Sequence, residues 1–201
     1  MAVGLCKVNL WMEALEPGKP LSFLESKIKC GNALLGTTPA LLNGGIPDAA
    51  FSPLEGDSRD ACTKWKRVNR AERASREKKQ ERFPFDAPWI KLGKLAETFL
   101  AVDHVGDESI EQIHQKELLY EQAVRSGDYL DGRFLADAWC AAFVWKKTSL
   151  LEFPITEEIF RQIEQNPTAF YHDKRGMTQE IQRLAKQYEL LHWHLAFPDV
   201  F

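Results

Sequence analysis

Asn32 is the first residue whose type and position suggest chemistry. It follows Ser26–Cys30 (SKIKC), a short alternating stretch closed by Gly31 that reads as a strand. Asn32 then stands at the carboxyl end of a strand, where open α/β sheets bind their ligands. There its side chain could hydrogen-bond an adenine edge or a ribose. The competing reading is a plain turn, because Asn tolerates left-handed backbone. A second candidate is a basic run in which Lys64, Lys66, Arg67, Arg70, Arg73, Arg76, Lys78, Lys79 and Arg82 are opposed only by Glu72, Glu77 and Glu81. That excess suits DNA phosphates, with an affinity that falls steeply as salt rises. The alternative is a solvated helix face laced by pairs such as Glu72–Arg76 and Arg73–Glu77. Trp65 and Trp89 flank the run and either stack on bases or anchor a core.

Other chemistry-bearing residues give less. His192 and His194 would share one face of a strand, but no Cys or carboxylate accompanies them at ligand spacing. Cys6, Cys30, Cys62 and Cys140 are widely separated, form no CxxC pair and read as buried free thiols. The sequence contains no GxGxxG, GxxxxGK[ST], GxSxG or HExxH. Gly44-Gly45 lies in a loop with no preceding strand and reads as a turn. No catalytic residue and no metal ligand is assigned.

The 201 residues suit one domain, or one domain with a sizeable insertion. An apolar fraction of 44% with 27% charged residues argues for a packed chain rather than a disordered one. The net charge of -3 means that any nucleic-acid surface must be local. No apolar run of about 18 residues is present, so no membrane span is expected. Met1–Leu15 lacks a basic leader and a small-residue cleavage site, and Lys7 and Asn9 interrupt its apolar run. It reads as an amphipathic helix, and the chain as cytoplasmic.

The elements that must position these residues follow from periodicity. Leu5, Val8, Met12 and Leu15 fall at helical spacing in residues 2–15, stopped by Pro17 and Gly18. Residues 37–57 form a Gly/Pro-rich loop with one short helical turn at 39–42. A helix over 58–82, capped by Asp57 or Ser58, precedes Phe83-Pro84-Phe85. Further helical patterns cover 86–102, 107–125, 130–147, 156–165 and 177–191, and the broad apolar face of 130–147 suits a central helix. The tail, with Pro198, reads as an extended strand. The expected class is mainly α with a small α/β remnant.

The first 51 residues, MAVGLCKVNLWMEALEPGKPLSFLESKIKCGNALLGTTPALLNGGIPDAAF, resemble an internal segment of large SAM-dependent DNA adenine-N6 methyltransferases. These occur in type IIG restriction–modification enzymes and in the methylase subunits of bacterial phage-defence systems. The tail HWHLAFPDVF resembles the strand that leads into that family's catalytic Asn-Pro-Pro-aromatic motif. The first fifty residues match specifically, the tail in combination with them, and the charged middle more loosely.

The resemblance implies a partial Rossmann-like methyltransferase segment carrying a helical insertion. Residues 1–36 would be a partial SAM-binding α/β segment, 37–57 a loop, 58–191 the insertion and 192–201 the C-terminal strand. Asn32 would contact the adenine of S-adenosylmethionine, with Ala33 and Leu34 beside it. The departures are large: neither Asn-Pro-Pro nor Asp-Pro-Pro occurs, Asn166-Pro167 is followed by Thr168, and the family's glycine-rich SAM loop is missing. Adenine methylation requires base flipping and in-line placement of the methyl group. The chain is therefore expected to be a fragment or split piece, starting near the acidic residue of the ribose-binding strand and stopping ahead of the catalytic motif. It would be inactive alone and would not hold SAM tightly. Its expected partners are DNA, the remaining methyltransferase chain or another protein subunit. Unpaired sheet edges would favour a homo-oligomer. The alternative is a stand-alone helical module that binds DNA or protein through the basic helix 64–82.

Overall fold

The computed structural model describes residues 1–80, 90–148 and 153–200, with side chains at 1–78, 95–148 and 153–200. The mainly helical class holds. The helices are α1 (Ala2–Glu13), α2 (Pro39–Gly44), α3 (Arg59–Gln80), α4 (Ile90–His104), α5 (Ile110–Val124), α6 (Gly127–Val144), α7 (Glu157–Gln165), α8 (Pro167–Asp173), α9 (Arg175–Gln187) and α10 (Trp193–Ala196). A tight helical turn, Asp48–Phe51, lies inside the expected loop. None of the described helices is long and apolar enough to cross a membrane.

Local chemistry sets the helix ends. Thr38 accepts the Leu41 amide and Pro39 opens α2. Ser58, rather than Asp57, caps α3 through the Ala61 amide. Ser109 and Gln112 form a reciprocal capping box on α5. Ser126 accepts the Tyr129 amide, so α6 starts at Gly127, a residue that reads in the sequence as the end of the preceding helix. Asn166 both ends α7 and caps α8 by accepting the Ala169 amide at 2.9 Å. This second role makes α8, which periodicity alone did not reveal.

Two expected strands are corrected. Residues 26–30 do not extend: the Lys27 and Ile28 amides close back on Leu24 O, making a turn. The tail 192–201 is not a strand either. Trp193 and Phe197, four apart, stack with ring centroids 5.7 Å apart, and the Phe197 amide bonds Trp193 O. That pairing favours one helical turn over alternation. Among the described residues, sheet pairing reduces to one parallel bridge between Asn32 and Leu190.

The chain forms two compact units. The first comprises Met1–Gly31, Trp89–Leu130 and Trp193–Phe201; the second comprises Asn32–Pro88 and Asp131–His192. In the first, α4 packs on α5. Tyr120 sits edge-on to Phe99 and Phe23, at 5.9 and 5.5 Å. In the second, α3 packs on the Asp48–Phe51 turn and on α7, and α7, α8 and α9 pack in sequence. Phe134, Leu135, Ala138, Trp139 and Ala142 of α6 are buried, together with Phe160, Ile163, Ile181 and Leu184. The expected apolar face of 86–102 is met by Leu95 and Phe99, whereas Leu100 is exposed.

Candidate functional site

The second unit knits residues 32–37 onto 189–192. The Asn32 amide donates to Glu189 O at 2.6 Å, and the Leu191 amide donates to Leu35 O at 2.9 Å. Gly36 lies against Leu191, so close that a Cβ there would stand 2.1 Å from Leu191 O. Only glycine permits that approach. The Thr37 amide then donates to His192 Nδ1 at 3.3 Å. That bond fixes the ring as the Nε2–H tautomer, which donates to Asp137 Oδ1 at 2.9 Å. With both ring nitrogens engaged, His192 ties residue 37 to Asp137 of α6.

Within this loop the Asn32 side chain accepts the Leu34 amide at 3.1 Å, an Asx turn. Ala33 and Leu34 are exposed, and Leu34 is 92% so. The three candidate cofactor residues thus sit on one short turn, with the apolar pair facing outward.

α3 divides its charges. Ala61, Cys62, Trp65 and Asn69 are buried along one face. Arg70 and Arg73 turn to Asp48. Arg76 meets Glu157 at 2.8 Å and Asn43 O at 3.0 Å. Three of the candidate phosphate-binding cations therefore have carboxylate partners from outside the run, although only that of Arg76 is buried. Lys66, Arg67 and Lys78 have no carboxylate partner among the described residues, and Arg67 and Lys78 are exposed. The Lys64 ammonium lies over the Trp65 ring, 4.7 Å from its centroid. Trp65 is buried against Phe153 and so anchors a core. The Lys79 and Arg82 side chains and Trp89 fall outside the described residues.

Sequence reasoning missed a saturated carboxylate. Glu157, 1% exposed, accepts the Ile46 amide and both the Arg76 and Arg161 guanidiniums, each at 2.8 Å. The fully buried Asn69 bridges the same two segments, donating to Ile46 O and accepting the Glu157 amide, also at 2.8 Å. Trp139 Nε1 donates to Gly45 O at 2.9 Å. Gly45 has φ of +75°, and a Cβ on it would fall 2.0 Å from Glu157 Oε2. The Gly44-Gly45 pair was the sequence signal for this close approach. Both carboxylate oxygens are engaged by these three donors, so Glu157 holds chain in place.

The thiols are all free, but two depart from expectation: Cys6 and Cys30 are exposed. Burial and the neighbouring Asp137 push the Cys140 thiol up to about 12, and burial and Asp57 push Cys62 up as well. Neither is a nucleophile near neutral pH. Lys147 is buried with its ammonium on Trp145 O at 2.8 Å, and burial lowers its pKa. In the first unit Lys29 donates to Tyr120 Oη and Glu25 O. Burial and Lys7 lower it to about 8, while burial raises Tyr120 to about 12. Among the described residues no cluster of three His, Cys, Asp or Glu could hold a metal.

No family model, no curated protein and no solved structure matches this chain.

Proposed function

We propose that this chain is a segment of a SAM-dependent DNA adenine-N6 methyltransferase, and that its part in the enzyme is to supply one wall of the pocket for the SAM adenine. The observation that carries the reading is the parallel pairing of Asn32 with Leu190. It joins the stretch KIKCGNALLG to the residues just ahead of HWHLAFPDVF, the two stretches on which the family resemblance rests. Parallel neighbours are what an open α/β sheet requires there. Asn32 and the exposed Ala33 and Leu34 would then meet the purine. Methyl transfer would need an Asn-Pro-Pro-aromatic motif and a glycine-rich SAM loop, which these 201 residues do not contain. The Rossmann-like character belongs to this proposal and extends only as far as that bridge.

DNA contact in this reading falls first to Lys64, Lys66, Arg67 and Lys78, because Arg70, Arg73 and Arg76 already meet carboxylates of the fold. The first test is the coding sequence on both sides of this chain. A glycine-rich loop upstream and Asn-Pro-Pro-aromatic downstream are expected, and unrelated flanking sequence would overturn the proposal. The second test is calorimetry with SAM. The chain alone should bind weakly or not at all. In the full-length enzyme, Asn32→Ala should weaken binding by about tenfold, as for loss of one good hydrogen bond.

A further inference from the structure

Backbone bonds from the Asn32 amide to Glu189 O and from the Leu191 amide to Leu35 O hold residues 32–37 of the second unit to 189–192. The tie at Thr37 differs in kind, because its amide donates to a side chain that can take up a proton, Nδ1 of His192. His192 is buried, and its Nε2–H donates to Asp137 Oδ1 at 2.9 Å. The helices packed here bring further charged and titratable groups to the pair. On α6, Arg133 lies 3.8 Å from the second Asp137 oxygen, and the Cys140 thiol stands near the same carboxylate. On α8, the Tyr171 hydroxyl feels Asp137 as well. His194 follows two residues on and is itself buried.

We propose that His192 is a proton-operated latch: with Nδ1 bare it holds the 32–37 loop, and a proton on Nδ1 releases it. The sign follows from what differs between the two states. Asp137 accepts the Nε2–H whether the loop is on or off, so it does not choose between them. It keeps the ring in place and stabilises the imidazolium once formed. What changes is the neighbour of Nδ1. In the closed state that neighbour is the Thr37 N–H, which a second N–H opposes in a site shut off from water. In the open state it is water, which accepts from the imidazolium. Proton uptake therefore favours opening. Free imidazoles change charge at about pH 6.5, so mild acid is the operative signal. The Asn32 turn and the exposed Leu34 ride on this loop and loosen with it. The latch needs no ligand and is independent of the methyltransferase reading.

Nuclear magnetic resonance on the whole chain tests this, with ring nitrogen shifts reporting the charge and tautomer of His192 and amide exchange reporting the loop. Protection factors are compared, so that the intrinsic pH dependence of exchange drops out. From about pH 8 to about pH 5, Nδ1 should gain a proton, and the Thr37 amide should lose at least ~10-fold in protection along the same titration curve. The Phe160 amide, bonded to Thr156 O at the start of α7, should change by no more than about twofold. His192→Asn keeps an oxygen acceptor for Thr37 but does not titrate, and should hold Thr37 protected at both ends of the range. Asp137→Asn removes the carboxylate that stabilises the imidazolium, and should move ring protonation and loop release together to lower pH by about one unit. A ring that keeps one charge state throughout would overturn the proposal. So would a Thr37 amide that stays protected after Nδ1 is protonated, or a loss of protection that Phe160 shares or that persists in His192→Asn.

Discussion

The surroundings of Glu157 in the second unit and the outer row of α1 in the first are opposite solutions to placing side chains. Around Glu157, a charge that would cost several kcal/mol to bury alone is matched by two guanidiniums and a backbone amide. Along α1 and just past it, four large apolar side chains, Leu5, Val8, Met12 and Leu15, remain between 46% and 72% exposed. The first region is complete in itself. The second leaves unused the burial energy that side chains of this size usually contribute.

That contrast can be broken experimentally, and the largest effect belongs to the carboxylate. Glu157→Ala leaves Arg76 without a carboxylate, Arg161 with Glu164 alone and the Ile46 amide unpaired, and should cost about 3–5 kcal/mol in urea unfolding. A loss under about 1 kcal/mol would mean that the two cations find water and the region is not closed. Gly45→Ala should cost about 1–3 kcal/mol, since its Cβ meets the Glu157 carboxylate and its backbone sits at φ of +75°. An unchanged urea midpoint there would relax the picture of a fixed loop.

Lys29 sharpens the comparison from the first unit through pH. Its pKa falls to about 8 in the fold, against about 10.4 for an unperturbed lysine. Between these values the unfolded chain holds a proton that the folded chain lacks, so stability rises as pH climbs from 8 to 10. Above 10 the raised Tyr120 reverses the trend, because the folded chain then keeps the proton. Lys29→Met should flatten the rise, which after allowance for solvent screening is about 1 kcal/mol. A rise that persists in the variant would assign it to another group. The smallest effect is expected on α1. Leu5→Glu/Met12→Glu should leave the unfolding free energy within about 0.5 kcal/mol, and a larger loss would show that the row is packed after all.

How far the sequence could be read depended on the range of the forces involved. Helices with a repeating apolar face, such as α5, α7 and α9, follow from local periodicity. The caps Ser109 and Thr38 lie within three residues of the amides they satisfy. Residues 26–30 and 193–197 were misread because a strand exists only when a neighbour pairs with it, whereas a turn closes on its own backbone. Asn166 before Pro167 looked like an ending because its cap on α8 has no apolar period behind it. For the candidate site, Asn32, Ala33 and Leu34 do share one turn. The basic run was legible as charge but not as geometry. Asp48 and Glu157, which take up Arg70, Arg73 and Arg76, come from outside the run, and no spacing rule announces them.

The Glu157 linkage also has a consequence for the timing of synthesis. Arg76 precedes its acid by 81 residues and Asn69 by 88. At translation rates of 5–20 residues per second, α3 waits roughly 4–16 s for its partner to be made. During that interval the growing chain carries a cationic helix whose Arg76 is still without its carboxylate, beside the polyanionic ribosomal RNA. Formation of the Glu157 linkage is therefore a late event, and closure of the second unit waits longer still, for residues 189–192.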